Sequence, residues 1–352
     1  MAKRILVVTS DVPFVEGGHL VIARGTVRAL REAGHEAELL LTPQNRFGRQ
    51  LRAYAATRFT DVGMDGQGRS IDQVITFRFP SYAVRHPAHV CWLNHRMREY
   101  YDLWSLLYSR LGWKGRIKET VRRTLIRAID NHLLKRNVTK LYTISKTVQA
   151  RLRRWGRIPS EVLYPPPPQR AYRTESYGSF IFTVSRLHSL KRIDLLVEAM
   201  ALVHNRAFKA IIMGEGPERS NLAALIKARN LEGRIVLLDE TDEETMLDRY
   251  ARCRAVFFSP LQEDYGFVTA EAFASRKPVL TATDSGGPVE LVEDGRTGFV
   301  VPPNPAEIAA KLDLLAEDKK LAERLGGNGY DFISGITWEN AVAKLILGEK
   351  TR

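Results

Sequence analysis

Hydrophobic residues in this 352-residue chain fall into short unbroken runs, each followed by a segment whose apolar positions recur with a helical period. Arg4–Ser10 is the first such run, dense enough for a strand buried on both faces. Gly17-Gly18 follows, then a helical pattern through Leu20, Ala23, Val27 and Leu30 that Gly34 ends, then Glu36–Leu41 as the next strand. Gln73–Phe79, His89–Asn94, Lys140–Ser145 and Glu161–Tyr164 are further strands by the same reading. The prolines Pro165, Pro166, Pro167 and Pro168 then interrupt the pattern, because such a run joins neither a sheet nor a helix interior and makes a stiff extended linker.

Beyond the prolines the alternation restarts. Phe180–Val184, Ala210–Met213, Ile235–Leu238, Ala255–Ser259, Pro278–Ala282 and Phe299–Val301 read as strands, with helices over Arg192–His204, Glu218–Asn230 and Trp338–Leu347. Repeated βα units predict α/β architecture: two Rossmann-like parallel-sheet domains, 1–164 and 165–335, and a C-terminal helix in 336–352 crossing back to the first. Two such sheets are expected to face a cleft, with ligands bound at the carboxyl ends of the strands.

Charge changes the picture more than composition does. Residues 1–164 hold 29 Lys and Arg against 13 Asp and Glu, whereas 165–352 hold 24 against 27. Within Arg110–Arg157 there are 15 basic and 2 acidic residues, which points to an anionic surface or polymer as partner. From Ile117 the apolar residues Ile117, Val121, Leu125 and Ile129 recur every fourth position, an apolar face expected to pack inward. Arg116, Lys118, Arg122 and Arg123 fall mainly elsewhere and are expected to meet anionic lipid head groups. A basic chain also raises nucleic-acid binding as an alternative, but no zinc, homeodomain or RNP pattern occurs, so nucleic acid is not expected. Cys91 and Cys253 are the only cysteines; they form no disulfide framework or zinc spacing and suit a reducing cytosol. No signal peptide or membrane span is read from the sequence, so the expected place is cytoplasmic, peripheral on the inner face of the membrane.

Two segments carry chemistry. In Glu263-Asp264-Tyr265-Gly266-Phe267-Val268-Thr269-Ala270-Glu271, which follows the strand Ala255–Ser259, a loop turns into a helix near Gly266, leaving N–H groups of Gly266, Phe267 and Val268 free to hold phosphate oxygens. Glu263 and Glu271 are placed to accept hydrogen bonds from sugar hydroxyls, although solvated glutamates on an ordinary turn satisfy the same spacing. In Ser185-Arg186-Leu187-His188-Ser189-Leu190-Lys191, Arg186 and Lys191 are two cations able to neutralise a diphosphate, and a plain basic surface loop is the alternative. Gly17 and Gly18 permit close approach of backbone N–H groups ahead of a helix, the other use being a tight βα turn.

These segments, in order, resemble the retaining nucleotide-sugar glycosyltransferases of family 4, which have the GT-B fold. The resemblance covers nearly the whole chain and is strongest over Leu163–Val301. It rests on Glu263 and Glu271 in a Glu-x7-Glu motif, Arg186 with Lys191, Gly214-Glu215-Gly216-Pro217, Gly286-Gly287-Pro288 with the segment to Gly298, and Val162–Pro166 as an interdomain linker. It implies that Arg186 and Lys191 bind the donor diphosphate, that Glu271 accepts from the ribose, that Glu263 lies at the donor sugar, and that Glu16-Gly17-Gly18 approaches the diphosphate. It places a catalytic histidine after a strand, which His95 fits, with His86, His89 and His19 as rivals. Three positions depart from the pattern: Ser185 and Asp239 stand where glycine is usual, and Arg276 where a small residue is usual; Asp239 leaves the base, UDP or GDP, open.

No Asp-x-Asp triplet occurs, so no metal and no cofactor are expected. The implied function is retaining, metal-independent hexosyl transfer from a nucleotide sugar to a glycan or lipid-linked acceptor in cell-surface polysaccharide synthesis. A GT-B epimerase or phosphorylase is the enzymatic alternative.

Overall fold

The computed structural model of the chain describes residues 2–11, 17–44, 47–239 and 242–348. They divide into two compact units, Met1–Pro165 with Thr337–Arg352, and Pro166–Ile336. The boundary falls inside the proline run, where the backbone can join neither sheet.

The first unit runs β1 (Arg4–Asp11), α1 (Gly18–Glu32), β2 (Glu36–Pro43), α2 (Gln50–Arg58), β3 (Gln73–Arg78), β4 (His89–His95), α3 (Trp104–Ser109), α4 (Trp113–Arg136), β5 (Lys140–Thr143), α5 (Lys146–Gly156) and β6 (Glu161–Val162). All six strands are parallel, in the order β2-β1-β3-β4-β5-β6. Gly34 ends α1 because it adopts φ +84°, which a side chain disfavours. Ser145 caps α5 by accepting from the Val148 N–H.

The second unit runs β7 (Phe180–Val184), α6 (Ile193–Leu202), β8 (Lys209–Met213), α7 (Arg219–Ala228), β9 (Ile235–Leu238), α8 (Glu243–Arg252), β10 (Ala255–Phe257), α9 (Phe267–Ala274), β11 (Val279–Ala282), α10 (Gly287–Leu291), β12 (Gly298–Val301), α11 (Pro305–Glu317) and α12 (Lys319–Ser334). Its sheet is again six-stranded, β12-β11-β10-β7-β8-β9, every described pairing being parallel. The apolar runs form its centre, with Ile181, Phe257, Leu280 and Ile212 fully buried under Leu196, Met200 and Leu312. The sequence reading named no helix at α2, α3, α5, α8, α10, α11 or α12. The last two carry legible start signals: Asn304 caps α11 ahead of Pro305, and Asp318 caps α12.

The final helix, α13 (Trp338–Leu345), lies in the first unit. Tyr142 donates to the Lys344 carbonyl at 3.0 Å, and the buried Gln73 side chain donates to Leu345 O at 2.8 Å and accepts from Leu347 N at 3.0 Å. Trp338 packs edge-on to Trp92 and presses on α1 at Gly25, where an added Cβ would lie 2.5 Å from its ring.

On α4 the structure reverses the expectation. Ile117, Val121 and Leu125, expected to pack inward, are 61%, 66% and 45% exposed, while the buried positions include Glu119 and Asp130. The reason is a set of phenols on the inner side. Asp130 accepts from Tyr54, Tyr82 and Tyr101, the last at 2.7 Å, and Glu119 accepts from Tyr100 at 2.8 Å. Buried carboxylates so supplied are tolerated, and they dictate which way the helix faces. Two of the four cations expected outside are therefore drawn in. Arg122 pairs with Glu119 at 2.5 Å, and Arg123 donates to Tyr100 O at 2.9 Å with its guanidinium 4.5 Å from the Trp104 ring centre. Arg116 and Lys118 remain exposed.

Arg276, where a small residue is usual, takes the left-handed φ of +53° and lays its guanidinium 3.8 Å from the Tyr330 ring centre, and Lys277 beside it is turned inward. Lys277 is fully buried, donates to Ser176 O and lies 3.7 Å from the centre of the Tyr177 ring. Burial lowers its pKa to about 8. Between there and its unfolded value of about 10.4 the unfolded chain binds the extra proton, so stability rises with pH. The buried thiols of Cys91 and Cys253, pushed up to about 12, act with the opposite sign, so the Lys277 contribution is read as a difference: across that window the stability of wild type relative to Lys277→Met should rise by up to about 1.4 kcal/mol per pH unit in chemical unfolding. Identical slopes for the two proteins would refute the assignment.

Candidate functional site

The second sheet has its topological switch between β7 and β10: β7 opens the unit, the chain adds β8 and β9 on one side, then returns to place β10 on the other. Loops leaving the carboxyl ends of neighbouring strands diverge at such a point and leave room for a ligand. The loop after β7 carries Arg186 and Lys191, and the loop after β10 carries Glu263 and Gly266. The structure thus brings together residues that lie over 70 positions apart. Lys191 Nζ pairs with Glu263 Oε2 at 2.7 Å, both side chains about three-quarters buried. Arg186 is exposed at the end of β7 and forms no ion pair among the described residues.

Glycines hold these loops in register. Gly214, at φ +140°, has no room for a Cβ, which would lie 2.0 Å from Ser185 O; at Gly216 the equivalent distance to Leu187 O is 2.2 Å. Leu187 N donates to Glu215 O at 2.7 Å, so the Gly-x-Gly-Pro turn is the wall against which the Arg186 loop lies. On the other side Glu263 bonds across to Ser285 and Gly287, and a Cβ at Gly286 would lie 2.5 Å from Glu263 O. Gly266 takes φ +89° as the N-cap of α9, with no side-chain cap. The first turn therefore leaves the N–H groups of Phe267 and Val268 without intrahelical acceptors, an anion-favouring end beside Lys191 and Glu263.

Glu271 sits one turn into α9 and is 6% exposed. Arg170 pairs with one carboxylate oxygen, and Tyr250 donates to the other at 3.0 Å. Burial raises the Glu271 pKa, against the pull of Arg170. Arg170 also pairs with Glu243 at 2.8 Å. Asp239, at the end of β9, is held by Arg219 at 2.8 Å.

Two contributors escaped the sequence reading. Arg192 grips Asp284 through both oxygens, at 2.6 and 2.8 Å, and donates to Ser259 O and Pro260 O at 2.9 and 3.1 Å. It thereby fixes the end of β10 next to the segment bearing Lys191, at a backbone φ of +51°. Its place directly after Lys191 was the one available signal. Arg170, 101 positions from Glu271, had none.

In the first unit, Gly17 is the N-cap of α1 and Gly18 its first residue. Glu16 lies outside the described residues. His95 closes β4, half-buried, with Nδ1 2.7 Å from Arg96 O. Of its rivals, His89 is buried against Thr76 at 2.8 Å with its pKa lowered to about 4 by burial, and His86 is bonded to Ile71 O and Ala88 O. His19 is buried in α1. No ligand set of three or more His, Cys, Asp or Glu gathers among the described residues.

Residues 170–332, which lie within the second unit, match the family described as glycosyl transferases group 1. Among curated relatives, an alpha-D-kanosaminyltransferase of Streptomyces kanamyceticus is 32% identical over 167 residues, 46% of this chain and 43% of that protein. The chain thus spans less than half the length of that relative. A solved sucrose-phosphate synthase from Thermosynechococcus elongatus has a TM-score of 0.74 at 17% identity, covering 97% of each chain. Anabaena HepE, solved with UDP and glucose, has a TM-score of 0.70 at 18% identity, covering 96% of this chain and 98% of that one. At these identities the structures establish the fold: two parallel six-stranded sheets of the GT-B class.

Proposed function

We propose that the chain is a retaining glycosyltransferase moving a hexose from a UDP- or GDP-sugar to a glycan or lipid-linked acceptor at an anionic membrane surface, in cell-surface polysaccharide synthesis on the cytoplasmic side. The observation that carries this reading is the convergence of Arg186, Lys191, Glu263 and the open end of α9 at the switch point of the second sheet. There the diphosphate would receive charge-assisted hydrogen bonds from Arg186 and Lys191 and N–H donors from Phe267 and Val268. As the bond to the sugar breaks, negative charge grows on the leaving diphosphate, and fixed cations stabilise that state more than the ground state. Glu271, already held by Arg170 and Tyr250, has lone pairs left for ribose hydroxyls. Glu263, steadied by Lys191, is suited to the sugar hydroxyls.

Because these cations replace a metal in this scheme, calorimetry should find UDP or GDP binding in the presence of a chelator. Glu271→Gln should weaken that binding by about 1–3 kcal/mol through loss of one acceptor. A panel of nucleotide sugars, followed by donor hydrolysis, then identifies the sugar. Strict dependence of nucleotide binding on a divalent cation, or hydrolysis of no donor at all, would overturn the reading.

A further inference from the structure

The outer side of α4 has an unusual make-up for a surface helix. Trp113, Ile117, Val121 and Leu125, spaced by four, are 69%, 61%, 66% and 45% exposed. The other exposed positions from 113 to 128 are Lys114, Arg116, Lys118, Thr120, Thr124 and Ala128. No carboxylate is among them. The two acidic residues of this helix, Glu119 and Asp130, are both buried and engaged by tyrosines. An ordinary solvated helix mixes both signs of charge on its outer face. Here the outer face offers apolar side chains, neutral hydroxyls and cations only. The short helix α3 packed beside it adds the partly exposed Leu106 and Tyr108, with Arg116 lying 4.8 Å from the Tyr108 ring centre.

We propose that α4 lies in the plane of a bilayer rich in acidic lipid, with Trp113, Ile117, Val121 and Leu125 sunk into the boundary between head groups and acyl chains. Lys114, Arg116 and Lys118 flank the stripe at head-group level. The inference rests on the anionic-membrane reading above but changes which groups carry it: Arg122 and Arg123 are spent inside the protein, and insertion of the apolar stripe supplies the hold that charge alone would lose in salt. A second copy of the chain fits less well. Four side chains fall short of the roughly 20–30 residues a side of a stable protein interface, and like-charged flanks would meet. The stripe spans about 18 Å along the helix axis at 1.5 Å per residue, enough for surface insertion and too little to cross a bilayer. No described helix is long and apolar enough to cross one.

The test uses the full chain and two vesicle types, phosphatidylcholine alone and phosphatidylcholine with phosphatidylglycerol. Both native cysteines are buried, so Val121→Cys gives a single accessible site for a polarity-sensitive fluorophore. The labelled protein should float with the acidic vesicles and its emission should shift to the blue. The pair Ile117→Ser with Val121→Ser leaves the charge of the face unchanged, yet should weaken flotation about tenfold or more while UDP affinity and melting temperature stay unchanged. Flotation with no blue shift, or wild-type flotation by the serine pair, overturns insertion while leaving charge-driven binding intact. Failure of the wild type to float on either vesicle overturns both. A dimer that the serine pair splits into monomers would assign the stripe to self-association and also overturns the proposal.

Discussion

Lys191→Ala should lower turnover by about 100-fold or more, the scale on which enzymes lose a fixed charge aimed at a developing anion. The effect is large because Lys191 does two things. It presents a cation at the end of β7, and it neutralises Glu263 at 2.7 Å. Removing it leaves the Glu263 carboxylate uncompensated close to where the diphosphate is proposed to bind, so repulsion adds to the lost attraction. The two components separate in a double variant. Lys191→Ala with Glu263→Ala should bind UDP more tightly than Lys191→Ala alone, since the repelling charge is gone, yet turn over no faster. Calorimetry with UDP and a donor-hydrolysis assay measure both quantities. A Lys191→Ala protein with wild-type affinity and turnover would place the donor site elsewhere.

The second large effect is expected at Gly214. Alanine there must hold φ near +140° and place its Cβ 2.0 Å from Ser185 O, a distance no real contact reaches. Strained backbone of this kind costs about 1–3 kcal/mol by itself, and displacing the Ser185 carbonyl adds to it. Gly214→Ala should therefore destabilise the second unit by about 3 kcal/mol or more and weaken UDP binding, because the segment it displaces carries Arg186. Gly233→Ala is the control: its Cβ would meet nothing within 4 Å, so stability should stay within about 0.5 kcal/mol of wild type. Thermal melting of the three proteins decides the matter. A Gly214→Ala protein as stable as the control would mean that the turn has freedom the packing here denies it.

Much of this protein was legible along the chain, for a physical reason. A strand buried on both faces must be a near-continuous apolar run, and a helix covering it must carry an apolar stripe, so local pattern alone revealed β1, β4 and β7 to within a residue and the restart after the prolines. Short-range chemistry was equally visible at Gly266 before a helix, while the turn at Gly214 and Gly216 came from the family resemblance. What local pattern does not hold is pairing between distant positions. That Lys191 meets Glu263, that Arg170 reaches Glu271 and that Arg192 clamps Asp284 follow from strand order, which sets β7 beside β10. The helix α4 makes the same point in reverse. Its apolar period predicted an inward stripe, yet the phenols of Tyr54, Tyr82, Tyr100 and Tyr101, brought from other elements, bury Asp130 and Glu119 instead and turn the stripe to solvent. Periodicity fixes which residues share a face of a helix; only the partners that the tertiary fold supplies decide whether that face looks inward.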